Sequence, residues 1–135
     1  MSGKSSISRA VLLDTNAAIA LLDGDKAIEA LLDQVDATYI PSIALGELFF
    51  GAEKSTRMEA NRARVEAFVR RRIVLVCDAE TARWYGRISN QLRLKGRPIP
   101  QNDKWIAAIA QQHGLTLLTR DEHFKHINGL SVETW

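Results

Sequence analysis

The strongest constraint on this chain is an alternation. Short runs of apolar and β-prone residues at 10–13, 38–40, 73–76, 116–118 and 130–132 are separated by longer stretches. In those stretches apolar residues recur at three- and four-residue spacing. A strand with almost no polar side must be covered on both faces, and a helix between successive strands favours parallel pairing. The pattern therefore predicts an α/β fold in three layers, a central, mostly parallel sheet flanked by helices. Helices are expected over 16–22 with Asn16 as cap, 26–35, from Ser42 as cap through Phe50, 58–71, 80–94, and 102–113 with Asn102 as cap. Val65 and Phe68, then Trp84, Tyr85, Ile88 and Leu92, then Trp105, Ile106 and Ile109 supply their inward faces. Gly114 ends the last of these helices. No repeat or linker interrupts the pattern, so residues 10–135 are read as one domain behind a flexible polar leader, 1–9.

Several classes of protein are excluded. No apolar run approaches the roughly 20 residues of a membrane helix, and the N-terminus has no signal-peptide core. A protein with no membrane contact, located in the cytoplasm, is expected. Cys77 is the one cysteine and sits at the end of an apolar run, which predicts a buried thiol. His113, His123 and His126 with Cys77 fit no common zinc spacing. Phe49 and Phe50 are adjacent and cannot both face one core, so one is expected at the surface.

The net charge of +2 hides an uneven distribution. Residues 1–53 carry 3 basic and 8 acidic side chains, residues 54–97 carry 12 and 4, and residues 98–135 carry 3 and 4. On the predicted frame four of the acids gather at or near strand-to-helix junctions. Asp14 follows the first strand, Glu47 lies in the helix after the second, Asp103 opens a late helix and Asp121 follows the fourth strand. In a parallel sheet these junctions share the carboxyl edge, where open α/β folds bind their ligands. One Asp after a strand is ordinarily a helix cap. Glu47 lies between Leu45 and Leu48 on a side that the helix otherwise buries, and a buried carboxylate needs a partner or a metal. Four carboxylates on one edge repel unless a cation offsets them. An all-oxygen set suits Mg²⁺ or Mn²⁺, which can activate water against a phosphoester.

The segments LLDTN (12–16), SIALGELFFGA (42–52), IPQNDKWIAAIAQQHGLTLLTRDEHF (99–124) and INGLSVETW (127–135) resemble the PIN-domain ribonucleases of the VapC toxin type. The resemblance covers most of the chain and is loosest over 54–97. It implies a Mg²⁺- or Mn²⁺-dependent endoribonuclease that hydrolyses phosphodiester bonds of structured RNA such as tRNA or rRNA. A metal-activated water would attack in line, leaving a 5′-phosphate and a 3′-hydroxyl. It further implies neutralisation by a cognate VapB-like antitoxin and a homodimer. Asp14, Glu47, Asp103 and Asp121 match that family's acidic quartet, both catalytic and metal-holding. Thr15, Asn16, Asn102 and Thr119 match polar positions lining its site.

The basic middle adds a candidate RNA contact. Arg93, Lys95 and Arg97 flank Gly96 in an expected loop just before Asp103, where they could grip phosphates. Arg83 and Arg87 read equally well as a solvated face. Arg57, Arg64 and Arg71 recur on one face of the 58–71 helix, where Arg62 and Glu66 have ion-pair spacing, so this helix reads as charged surface. Two alternatives remain open. A non-catalytic RNA- or partner-binding module would use the acidic edge structurally, although nothing then requires four mutually repelling acids. A phosphatase would need a second Asp two residues after the first, and Asn16 stands there.

Overall fold

The computed structural model describes residues 9–135. The expected leader therefore lies almost wholly outside the described residues. Its last residue, Arg9, is anchored: its backbone N–H donates to Asp36 (2.6 Å) and its guanidinium pairs with Glu133.

Five strands form one parallel sheet in the order β3-β2-β1-β4-β5: β1 (Ala10–Leu13), β2 (Ala37–Pro41), β3 (Ile73–Leu75), β4 (Thr116–Leu118) and β5 (Val132–Glu133). Six α-helices connect and cover them: α1 (Thr15–Leu22), α2 (Lys26–Leu32), α3 (Ser42–Glu53), α4 (Met58–Arg70), α5 (Ala79–Lys95) and α6 (Gln101–His113). A short 3-10 helix, Glu122–His126, links β4 to β5. The three-layer α/β expectation holds, with boundaries within about three residues of those read from periodicity.

The strand alternation explains the two cores. Leu12 and Leu117 point to one face and pack with Ile88, Leu92, Ile106 and Ile109 of α5 and α6. Their neighbours Leu13 and Leu118 point to the other, against Ala17, Ile28, Leu48, Val65 and Phe68. Successive strand residues face opposite ways, so each apolar dipeptide feeds both cores at once. A polar residue in the centre of β1 or β4 would be buried without a partner.

Strand order sets the site. β1 lies at the middle of the sheet, with β2 on one side and β4 on the other. The chain leaves β1 towards β2 and β3, then returns to β4 and β5, so the direction of winding reverses at β1. The connections leaving the carboxyl ends of β1 and β4 diverge there and open a crevice.

Some local expectations change. Ser42 does not cap α3; Pro41 occupies that position and no side chain caps it. Pro100, not Asn102, precedes α6, and Asp103 is its third residue rather than its first. Arg62 pairs with Glu53 at 2.7 Å instead of Glu66, because the α3–α4 connection brings Glu53 closer. Cys77 is exposed beyond the short β3, and partial burial together with the charge of Asp78 pushes its thiol pKa up. Phe50 is the exposed member of the Phe pair.

Candidate active site

Asp14 is the structural centre of the site. It directly follows β1 and caps α1 in the position expected of Asn16, which is exposed. Asp14 Oδ1 accepts the Ala17 N–H at 2.7 Å, and Oδ2 accepts the Thr119 hydroxyl at 2.5 Å. Only 4% of Asp14 is exposed. Burial raises its pKa above the usual carboxylate range; the Thr119 and Ala17 hydrogen bonds oppose the rise, and the charges of Asp121 and Glu47 add to it. Thr119 in turn accepts the Asp121 N–H at 2.9 Å, so one buried hydroxyl ties the ends of β1 and β4 together.

Asp121 caps the 3-10 helix by accepting the His123 N–H at 2.9 Å. Its carboxylate lies 3.0 Å from His123 Nδ1, and Asp103 lies 3.3 Å from the same nitrogen. Ligand atoms of Asp103, Asp121 and His123 fall within 4.8 Å of one another. Asp103 reaches this cluster from the first turn of α6, whose N-terminal dipole favours a carboxylate. Burial and the neighbouring Asp121 nevertheless raise its pKa, against the lowering influence of His123. A nearby cation would favour the ionised form of Asp103 that burial and Asp121 disfavour.

Glu47 stands differently from its sequence reading. It is exposed, and its carboxylate accepts the Thr15 hydroxyl at 2.6 Å. The buried side of α3 is the one carrying Ala44, Leu48 and Ala52. The Thr15 bond joins it to the start of α1, and its charge acts on Asp14. Asn102 is exposed one residue before Asp103, and no side-chain cap bond is made at that end of α6.

The structure thus brings Asp14, Asp103 and Asp121 to one edge, bridged by Thr119 and His123, with Glu47 held beside Asp14 through Thr15. Sequence reasoning misses His123. Its only signal is its position two residues beyond Asp121, which becomes meaningful once a 3-10 turn folds it back. The basic segment is only partly as expected. Arg93 and Lys95 belong to the last turn of α5, and Lys95 is committed elsewhere, to the His126 carbonyl at 2.9 Å and Asn128 at 2.5 Å.

This is an α/β scaffold with an acidic crevice at its switch point. Residues 11–130 match the family model of the PIN domain. The chain is 41% identical over 97 residues to a Shigella flexneri protein named tRNA(fMet)-specific endonuclease VapC, covering 71% of this chain and 74% of that one. Its fold matches the VapBC2 structure from Rickettsia felis bound to a promoter DNA fragment, with TM-score 0.88, 29% identity and coverage of 93% and 98%. It also matches DNA-bound VapBC from Salmonella typhimurium, with TM-score 0.86, 35% identity and coverage of 96% and 99%. The chain belongs to the PIN domain family, among the VapC ribonucleases.

Proposed function

We propose that the chain is the endoribonuclease toxin of a toxin–antitoxin pair and that Asp14, Asp103, Asp121 and Glu47 form its hydrolytic centre. The observation that carries the reading is the convergence of Asp14, Asp103, Asp121 and His123 on one crevice, where burial works against ionisation of Asp14 and Asp103. The donor set fits a hard divalent cation, Mg²⁺ or Mn²⁺: oxygens dominate, and the one imidazole is acceptable to Mn²⁺. Asp103 and Asp121 would hold it, with Asp14 and Glu47 contributing oxygens directly or through water. When bound, such an ion lowers the pKa of water and neutralises charge developing on a phosphate.

The chain's own groups do the rest. Thr119 fixes one Asp14 oxygen and leaves the carboxylate a single orientation. Ala17 N–H holds the other oxygen, so Asp14 needs no reorganisation when a ligand arrives. Glu47, exposed and steadied by Thr15, is positioned to accept a proton from an attacking water.

RNA is the substrate, and tRNA is the first to test, because two relatives at 41% identity are named tRNA(fMet)-specific. A VapB-like antitoxin is the partner by analogy with the VapBC complexes, and a homodimer is the proposed assembly, acting in the cytoplasm where its RNA lies. No described helix is long and apolar enough to cross a membrane. The test incubates purified wild type, Asp14→Asn and Asp103→Asn with total RNA in Mg²⁺, Mn²⁺ or EDTA. Cleavage by wild type alone, abolished by EDTA, is expected. Equal cleavage by the variants would overturn the reading.

A further inference from the structure

A cavity of about 300 Å³ opens where α5 ends and α6 begins. Ser89, Arg93, Gly96, Arg97, Ile99 and Lys104 contribute to its lining, and no carboxylate does. That separates it from the larger cavity beneath α1, α2 and α4, of about 650 Å³, where Glu29 and Asp33 stand among Arg64, Arg71 and Arg72. Mixed charge is ordinary protein surface; three cations with no acid among them ask for an anion.

Two further observations sharpen this. Arg97 and Lys104 make no ion pair among the described residues, and Arg93 is held by a neutral partner, the Asn90 side-chain oxygen, at 2.7 and 3.2 Å. Its guanidinium is therefore oriented without being neutralised. Ser89 also lines this cavity, but its Oγ is sealed from solvent and faces no ligand position. The backbone carrying the cations is stiff. Gly96 is left-handed (φ 64°), its N–H donates to the Arg93 carbonyl, and the Arg97 N–H donates to Leu92 at 3.0 Å, a closed helix end followed at once by Pro98 and Pro100. A fixed backbone and a braced Arg93 reduce the entropy lost when a ligand arrives.

The position is as telling as the charge. Lys104 and Asp103 are consecutive in the first turn of α6, so the cavity and the acidic crevice lie at the same end of that helix. We propose that this α5–α6 cavity binds a backbone phosphate of the RNA strand, next to the phosphate held at the acidic crevice, through Arg93, Arg97 and Lys104. The inference rests on the nuclease reading and adds a second anchor to it. Contacts of this kind set register without reading bases, so the cavity would position the strand, and selection among RNAs would come from elsewhere. Lys95, expected from sequence to take part, is replaced by Lys104, which comes from the next helix.

The test uses the full chain carrying Asp14→Asn, so that RNA is bound without being cut. Binding of a fluorescein-labelled single-stranded RNA is followed by anisotropy across a salt series. Removing one cation that neutralises a phosphate flattens the slope of log K against log salt by about 0.7 for a single strand. Arg97→Ala with Lys104→Ala should therefore flatten it by roughly 1.4 and weaken binding at low salt by about tenfold or more. Lys26→Ala, on α2 and well solvated, is the comparison and should change neither. Arg97→Glu alone, at an exposed turn, repeats the charge test without disturbing Lys104, whose ammonium lies 5.2 Å from the Tyr85 ring centroid. Slopes for the double variant and Arg97→Glu that match Lys26→Ala would overturn the proposal while leaving the nuclease reading standing. Absence of any RNA binding by the parent chain would overturn both.

Discussion

Replacing Asp103 by Asn should make the metal-free protein more stable. Oxygens of Asp103 and Asp121 fall within 4.8 Å. Two unit charges at that distance repel by about 3 kcal/mol at an effective dielectric of roughly 20. Both side chains keep some water contact, 19% and 26% exposed, which screens roughly half of this. Against the gain stands the favourable position of Asp103 in the first turn of α6, worth about 0.3–1 kcal/mol. An Asn oxygen can still accept from His123, so that contact survives. The net expectation is a gain of about 1 kcal/mol, or roughly 3–5 °C in Tm for a chain of this size. The assay is thermal unfolding of wild type and Asp103→Asn at neutral pH, in EDTA and then with a Mn²⁺ series. Wild type should start lower and rise with Mn²⁺, because an ion bound only to the folded state stabilises it by mass action. Asp103→Asn should start higher and respond weakly. A variant less stable than wild type in EDTA would refute the reasoning, since the acids would then be held by structural bonds rather than strained by their own repulsion.

Other outcomes follow from the same geometry. Asp14→Ala removes the cap from Ala17 and leaves the buried Thr119 hydroxyl without its acceptor, so it should cost about 2 kcal/mol in urea unfolding; Asp14→Asn keeps the cap and should cost less than half of that. Asp14 and Asp103 have folded pKa values raised above the ordinary 3.8, so the folded state holds their protons more tightly than the unfolded state. Their contribution to metal-free stability is present below that value and is lost as pH rises through the raised folded pKa values. Protons and cation compete for the same oxygens, so the Mn²⁺-induced rise in Tm should shrink as pH falls towards that range. His123→Ala should weaken Mn²⁺ binding, measured calorimetrically, more than Mg²⁺ binding, because imidazole is a better ligand for Mn²⁺; equal losses would assign His123 to hydrogen bonding alone.

Much of this is legible from residue order, for a physical reason. Strands buried on both faces must be nearly all apolar, so β1 and β4 stand out in sequence, and the acids that follow them must lie at the sheet's carboxyl edge. The side of a helix is harder to read when apolar residues surround it. α3 carries Ile43, Ala44, Leu45, Leu48 and Phe49, and its true buried side is known only after α4 packs against it, so the pattern puts Glu47 on the wrong face. The caps shift because the residues just before the helices, Asp14 and Pro100, already occupy the cap positions of α1 and α6. Lys95 reads as part of a free loop, whereas it bonds across 31 residues to His126, a pairing no local pattern encodes. His123 escapes for the opposite reason: Asp121 is close to it in sequence, but only a 3-10 turn folds its ring back onto the acids.

The central claim is that a divalent cation held at the acidic crevice is what permits RNA cleavage. It is tested most directly by titrating Mn²⁺ into chelator-treated protein while following bound ion by electron paramagnetic resonance and tRNA cleavage in the same samples. Cleavage should be absent at zero occupancy, rise in proportion to bound Mn²⁺, and fail in Asp103→Asn together with the binding signal. Cleavage before any ion binds, or full occupancy with no cleavage of any RNA offered, would contradict the account.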